Sequence, residues 1–163
     1  MQVTLPGQNP FAILTAVVAP AILTNASSVL ALGTSNRLAR VVDRTRVVAS
    51  HLANLEPGAA EHTAWSAQLD GLQVRAQLLV RALRAVYASL GLFASAALVS
   101  VLGSIVAYYG SQITFKIAVI LNLLTGSAAV LGLATGCTLM VRETRLAVQG
   151  LTEEAELAGR VRR

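Results

Sequence analysis

Charge is scarce in this chain. Asp, Glu, Lys and Arg make up 13% of its 163 residues, against about 25% in a soluble domain. Three stretches contain no Asp, Glu, Lys, Arg or His at all: Phe11 to Ser35, Ala85 to Phe115, and Ile117 to Val141. A helix needs about 20 such residues to cross some 30 Å of hydrocarbon, and each stretch is longer than that. Their composition therefore excludes an ordinary soluble globular fold and predicts an all-α integral membrane protein with three transmembrane helices. The same lack of ionisable groups argues against proton-coupled transport, which needs a titrating group near the membrane midplane.

Other absences narrow the chemistry. Cys137 is the single cysteine, so no intrachain disulfide can form and no thiolate chemistry is implied. His51 and His62 lack a third ligand nearby, which makes a poor metal site. None of the patterns G-x-x-x-x-G-K-[ST], G-x-S-x-G or H-E-x-x-H occurs. The expectation is a protein that is not an enzyme and takes no cofactor and no metal.

The charges that are present lie on one side of the runs. Of thirteen Lys and Arg, seven (Arg37, Arg40, Arg44, Arg46, Arg75, Arg81 and Arg84) fall between the first two runs. Five more (Arg142, Arg145, Arg160, Arg162 and Arg163) follow the third, and only Lys116 separates the second from the third. The positive-inside rule then predicts an external N-terminus, three crossings and a cytoplasmic loop and C-terminus. A signal peptide is the rival for the first run, but residues 1–10 hold no Lys or Arg and the run is too long for an h-region. The pI near 10.4 could suggest nucleic acid, yet these arginines flank membrane spans, where anionic phospholipid headgroups attract them. The partners expected are the lipid bilayer and its anionic headgroups, with no nucleic acid.

The organisation predicted is an external N-terminus (1–10), transmembrane helix 1 (11–35), a cytoplasmic helical hairpin (36–84), transmembrane helix 2 (85–109), an external loop (110–116), transmembrane helix 3 (117–141) and a cytoplasmic C-terminal amphipathic helix (142–163). The hairpin rests on periodicity. Trp65, Leu69, Leu72, Ala76, Leu79, Leu83, Val86 and Leu90 alternate 4 and 3 apart, which is the a/d seam of a coiled coil. Leu38, Val41, Thr45, Val48, Leu52 and Leu55 do the same, and Glu56, Pro57 and Gly58 supply a turn near 56–60. Two such seams joined by a turn predict an antiparallel pair. No breaker parts either seam from its neighbouring apolar run, so helices 1 and 2 should extend unbroken out of the membrane. The second would run from about His62 to Tyr109, about 72 Å at 1.5 Å per residue, its seam continuing through Phe93, Ala97, Ser100 and Ser104.

The tail is amphipathic, with Val141, Val148, Leu151, Ala155 and Ala158 on one side and Glu153, Glu154 and Glu156 in its middle. Aromatic placement agrees with the topology: Phe11, Tyr108, Tyr109 and Phe115 fall at the outer interface and Tyr87 at the inner one. Trp65 falls instead at the far end of the hairpin, either capping the apolar seam or anchoring a partner.

Asn36, Arg37, Leu38, Ala39, Arg40, Val41, Val42, Asp43 and Arg44, followed by Arg46, come directly after a run containing Pro20, Asn25, Ser27 and Ser28. This N-R-L-x-R-V-V-D-R stretch resembles a bacterial family of small membrane proteins, domain of unknown function 2721, over about Phe11 to Leu151. The resemblance implies a three-pass membrane protein and brings no activity with it.

Two groups of residues are candidates for function. Arg37, Arg40 and Arg44 share one stripe, and Asp43 is placed to pair with an arginine of a neighbouring helix, or locally with Arg46 or Arg40. Either these arginines reach to headgroups, or they form an ion-pair collar that fixes a cytoplasmic vestibule. In the first span Thr24, Asn25 and Ser28 could line a pore, and Pro20 would bend the helix just before them. Against that, Asn25 and Asn122 are amides in hydrocarbon and need partners, which could be each other or a serine. Ser100, Ser104 and Asn122, with Ala128, Gly132 and Gly136 at four-residue spacing, are read as helix-packing positions. Three helices offer few internal contacts, so a homo-oligomer is expected.

Two functions follow. One is a small homo-oligomeric ion channel or pore lined by the polar face of helix 1. The other is a noncatalytic membrane scaffold or accessory subunit that recruits a partner through its cytoplasmic coiled-coil hairpin.

Overall fold

The computed structural model describes the backbone of residues 10–56, 60–109 and 112–161, and the side chains of residues 18–56, 61–105 and 113–150. It holds three helices: α1 (Pro10–Leu52), α2 (Ala60–Tyr109) and α3 (Gln112–Val161). All three are long and apolar enough to cross a membrane. Proline suits the first position of α1, since its missing N–H would have no partner there. The helix continues through Pro20 and closes by tightening. Ala53 N donates to Ala49 O at 3.1 Å, but Asn54 N and Leu55 N then donate to carbonyls only three residues back, His51 O at 3.1 Å and Leu52 O at 3.2 Å. The Asn54 amide satisfies one more end carbonyl, that of Ser50.

α3 departs from the expected boundaries at both ends. It begins at Gln112, so residues 112–116, expected to be loop, are helical. It also passes through Val141 and Arg142 without a break, so the tail is the continuation of the third span instead of a separate helix. The reason is local: Arg142, Glu143, Arg145, Leu146 and Ala147 are strong helix formers with no proline among them. Leu151, Glu153, Glu154, Ala155, Glu156 and Ala158, on which the amphipathic reading of the tail rests, lie outside the described side chains. So do Phe11, Tyr108 and Tyr109. Tyr87 and Phe115 are exposed.

The chain divides into two compact units, Met1–Ala31 with Ala85–Ala134, and Leu32–Arg84 with Thr135–Arg163. Charge divides with them. Lys116 is the one Asp, Glu, Lys or Arg in the first unit, and all others belong to the second.

The cores differ in chemistry. Among the described residues of the first unit, those buried are Ser27, Ala31, Val86, Ser89, Phe93, Ala96 and Ala129. Apart from Val86 and Phe93 these are small or hydroxyl-bearing, as lipid favours: apolar surface gains nothing by leaving hydrocarbon, so helices associate through close backbone approach. The second unit buries Val41, Val48, Leu72 and Leu79 in one cluster, with Leu38, Trp65, Leu69 and Ala76 packed on it. These are the expected seam positions of α1 and α2. Removing such side chains from water stabilises by about 1.5–3 kcal/mol each. The α2 seam is buried or half-buried at every position from Trp65 to Ser100 and ends at Ser104, which is exposed. Trp65 lies against the end of the cluster with its ring 4.5 Å from that of His51.

Candidate functional site

In the second unit the side chains of three helices enclose a cleft of about 440 Å³. Helical spacing builds it. On α1, Arg37, Arg40 and Arg44 follow one another at intervals of three and four, and so share a face with Val41 between them. Val41 and Leu72 of α2, both buried, give it an apolar wall. α2 also contributes Arg75, and α3 contributes Glu143, Thr144 and Ala147.

Glu143 organises the charges. Its side chain is almost fully buried, and one carboxylate oxygen, Oε1, accepts from both Nε and Nη2 of Arg75 at 3.0 and 2.9 Å. The other, Oε2, lies 3.8 Å from Nη1 of Arg37. Arg37 Nη1 also donates to Thr144 Oγ1 at 3.1 Å, and that hydroxyl donates to the Met140 carbonyl at 2.9 Å. A buried carboxylate is tolerable only with such donors around it. Arg40 and Arg44 have no share in Glu143. Arg40 directs its Nε to the Asn36 carbonyl at 3.3 Å. Four guanidinium groups against one carboxylate leave the cleft strongly positive.

Asp43 takes the local alternative and stays out of this arrangement. It lies 3.8 Å from Arg46, both side chains largely exposed, and makes no bridge to another helix among the described residues. The interhelical carboxylate among them is Glu143. A sequence signal for it existed: Arg75, Ala82, Ser89 and Ala96 recur every seven residues along α2, as do Asn122, Ala129, Gly136 and Glu143 along α3, and every one of these residues is buried or half-buried. An arginine and a glutamate within such stripes have to face packing, not solvent.

The polar residues of the first span separate into two sets. Thr24 is half-buried and its hydroxyl donates to the Pro20 carbonyl at 2.8 Å, while Ser27, fully buried, donates to the Leu23 carbonyl at 2.7 Å. Asn25 and Ser28 are exposed on the outer side of α1, Ser28 donating to the Thr24 carbonyl at 2.9 Å. The three candidate pore residues thus lie on adjoining parts of α1, Thr24 at the edge of the packing and Asn25 and Ser28 outside it. Asn25 does not meet Asn122. Instead Asn122 Nδ2 donates to Ser100 Oγ at 3.0 Å, and Asn122 Oδ1 is buried without a hydrogen-bond partner among the described residues.

Of the small residues on α3, Gly132 lies close against α2. A Cβ there would stand 2.5 Å from Ser89 Oγ, so the glycine is required by the approach of α2. Gly136 is buried, but Ala128 is exposed, and the inward alanine is its neighbour Ala129. A strict four-residue repeat drifts off a helix face, since four residues turn through more than a full revolution. Ser104 bonds back to the Ser100 carbonyl at 2.8 Å.

Among the described residues no group of three or more His, Cys, Asp or Glu gathers to hold a metal. A family model described as "Protein of unknown function (DUF2721)" matches residues 17–153. No curated protein and no solved structure matches the chain.

Proposed function

The chain belongs to the DUF2721 family, and we propose that it is a homo-oligomeric bacterial inner-membrane protein whose copies enclose a neutral polar path for ions beside α1. The observation that carries this reading is the exposure of Asn25 with Ser28 one turn on. An amide facing hydrocarbon is costly unless it is hydrogen-bonded, and α1 of a second copy, or water between copies, supplies the partner. Neutral polar groups conduct without charge coupling. The N-terminus is taken as external and the C-terminus as cytoplasmic, with residues 36–84 forming a coiled-coil hairpin in the cytoplasm and the arginines of α1 at the inner mouth of the path. The reading assigns no catalytic step.

The other reading is a noncatalytic scaffold that recruits a partner through the hairpin. It is favoured by Trp65 and His51, a ring pair at the turn end of α1 and α2 that is only partly covered.

Asn25→Leu distinguishes them. For the pore, purified protein gives single-channel currents in a planar bilayer, the variant gives none, and mass measurement in native-like lipid finds an oligomer. A silent wild-type protein across monovalent and divalent salts, or a clean monomer, overturns the pore. Partner capture that survives Asn25→Leu supports the scaffold.

A further inference from the structure

The cleft between Arg37, Arg75 and Glu143 has more positive charge than its own side chains use. Glu143 engages both arginines it can reach, with two hydrogen bonds from Arg75 and an oxygen 3.8 Å from Arg37. The partner seen for Arg40 is a neutral carbonyl of its own helix, taken up by Nε, and its terminal nitrogens have no hydrogen-bond or ion-pair partner among the described residues. Arg44 forms the next turn of the same face. Two guanidiniums on one helix face beside an apolar wall, with no carboxylate to themselves among the described residues, are suited to a tetrahedral oxyanion, whose oxygens they can grip two at a time.

We propose that this cleft is a phosphate-binding site, with Arg40 and Arg44 as the ligands and the Arg75–Glu143 pair as the framework that holds Arg37 beside them. Glu143 has a positioning role here. By neutralising Arg75 it keeps that partly buried cation from competing for the anion, and by facing Arg37 it sets where the third guanidinium stands. The phosphate is either a phospholipid headgroup or a free phosphate. Position along the chain is compatible with the first: Arg40 and Arg44 follow the last residue of the uncharged run, Ser35, by five and nine residues. At 1.5 Å per residue that is about 8 and 14 Å beyond the hydrocarbon, at the headgroup layer and just past it, from where a long arginine side chain can reach back to a headgroup. The site belongs to a single chain and does not depend on conduction or assembly.

The test compares the full chain with Arg40→Gln/Arg44→Gln, and with Arg81→Gln/Arg84→Gln as a control that loses the same charge from exposed positions of α2 outside the cleft. One arm counts phosphatidylglycerol and phosphatidic acid molecules retained by the detergent-purified protein in native mass spectrometry. The other titrates pyrophosphate onto lipid-stripped protein and follows the melting temperature. Retention of lipid with no response to pyrophosphate identifies a headgroup site, and saturable stabilisation by pyrophosphate identifies a free phosphate. In either case the cleft variant should bind about tenfold or more weakly than wild type, because charge-assisted hydrogen bonds are lost, while the control stays within about twofold. Equal loss in both variants means a general surface-charge effect and overturns the proposal, as does binding of neither ligand by the wild-type protein. Helix content and melting temperature without ligand establish that the cleft variant is folded. Should it not fold, Arg44→Lys replaces it, keeping the charge and removing the bidentate grip.

Discussion

Ser89 of α2 stands so close to Gly132 of α3 that a methyl group on the glycine would lie 2.5 Å from the serine hydroxyl oxygen. That hydroxyl is fully buried and donates to the Ala85 carbonyl at 2.8 Å, so it cannot turn aside without losing its bond. Gly132→Ala should therefore destabilise the protein by about 1–3 kcal/mol through overpacking. Adding Ser89→Ala should recover most of the loss, since the next atom a Cβ would meet is the Ala85 carbonyl oxygen at 3.7 Å. Thermal melts of both variants in detergent, followed by circular dichroism, check the pair. A double variant no better than the single one counts against the close crossing.

Gly71 is the counterexample. It lies inside α2, exposed, with nothing within 4 Å of where a Cβ would go. Gly71→Ala should raise stability by up to about 1 kcal/mol, because a helix-interior glycine gives up more backbone entropy than alanine. The same melts would register it as an upward shift.

Glu143→Gln should be among the most damaging changes in the second unit. It leaves the partly buried Arg75 without its counter-charge, a loss of about 3 kcal/mol. The joint replacement Arg75→Leu/Glu143→Leu should be far milder than Glu143→Gln alone, since the desolvation cost of both ions disappears with the attraction between them. Urea denaturation monitored through Trp65 fluorescence reports on this unit directly.

Asp43→Asn should alter stability by no more than about 0.5 kcal/mol, because Asp43 and Arg46 are both largely exposed and such pairs contribute little. The comparison is between urea midpoints at low and high salt. Asp43→Asn should shift neither, whereas loss of oligomer mass in the same variant would show that Asp43 pairs with an arginine of another copy.

Much of this architecture is legible in the sequence, and the exceptions have a common cause. The uncharged runs and the seam from Trp65 to Val86 are signals repeated many times over, so a single misplaced residue cannot hide them. The exceptions are questions of one position. Ala128 and Ala129 differ by 100° around the helix axis and only a neighbouring helix decides which turns inward. Asp43 and Glu143 are each a lone carboxylate among arginines just past an apolar run, and composition alone ranks them equally. What separates them is register with α2, where Glu143 continues the stripe of Asn122, Ala129 and Gly136 and meets Arg75. Asn25 and Thr24, adjacent in sequence, part in the same way, one outward and one against the packing.

The contrast between a core made mostly of serine and alanine and a cluster of leucine and valine also decides how each half should come apart. The leucine and valine cluster exists because water expels it, and urea, which solvates apolar and peptide groups, removes that reason. The serine and alanine packing owes little to water, and loosens instead when the lipid or detergent around it is exchanged. Denaturant and detergent should therefore act as separate reagents on one continuous set of helices, and a urea melt should release Trp65 while leaving helicity that only a harsher detergent takes away.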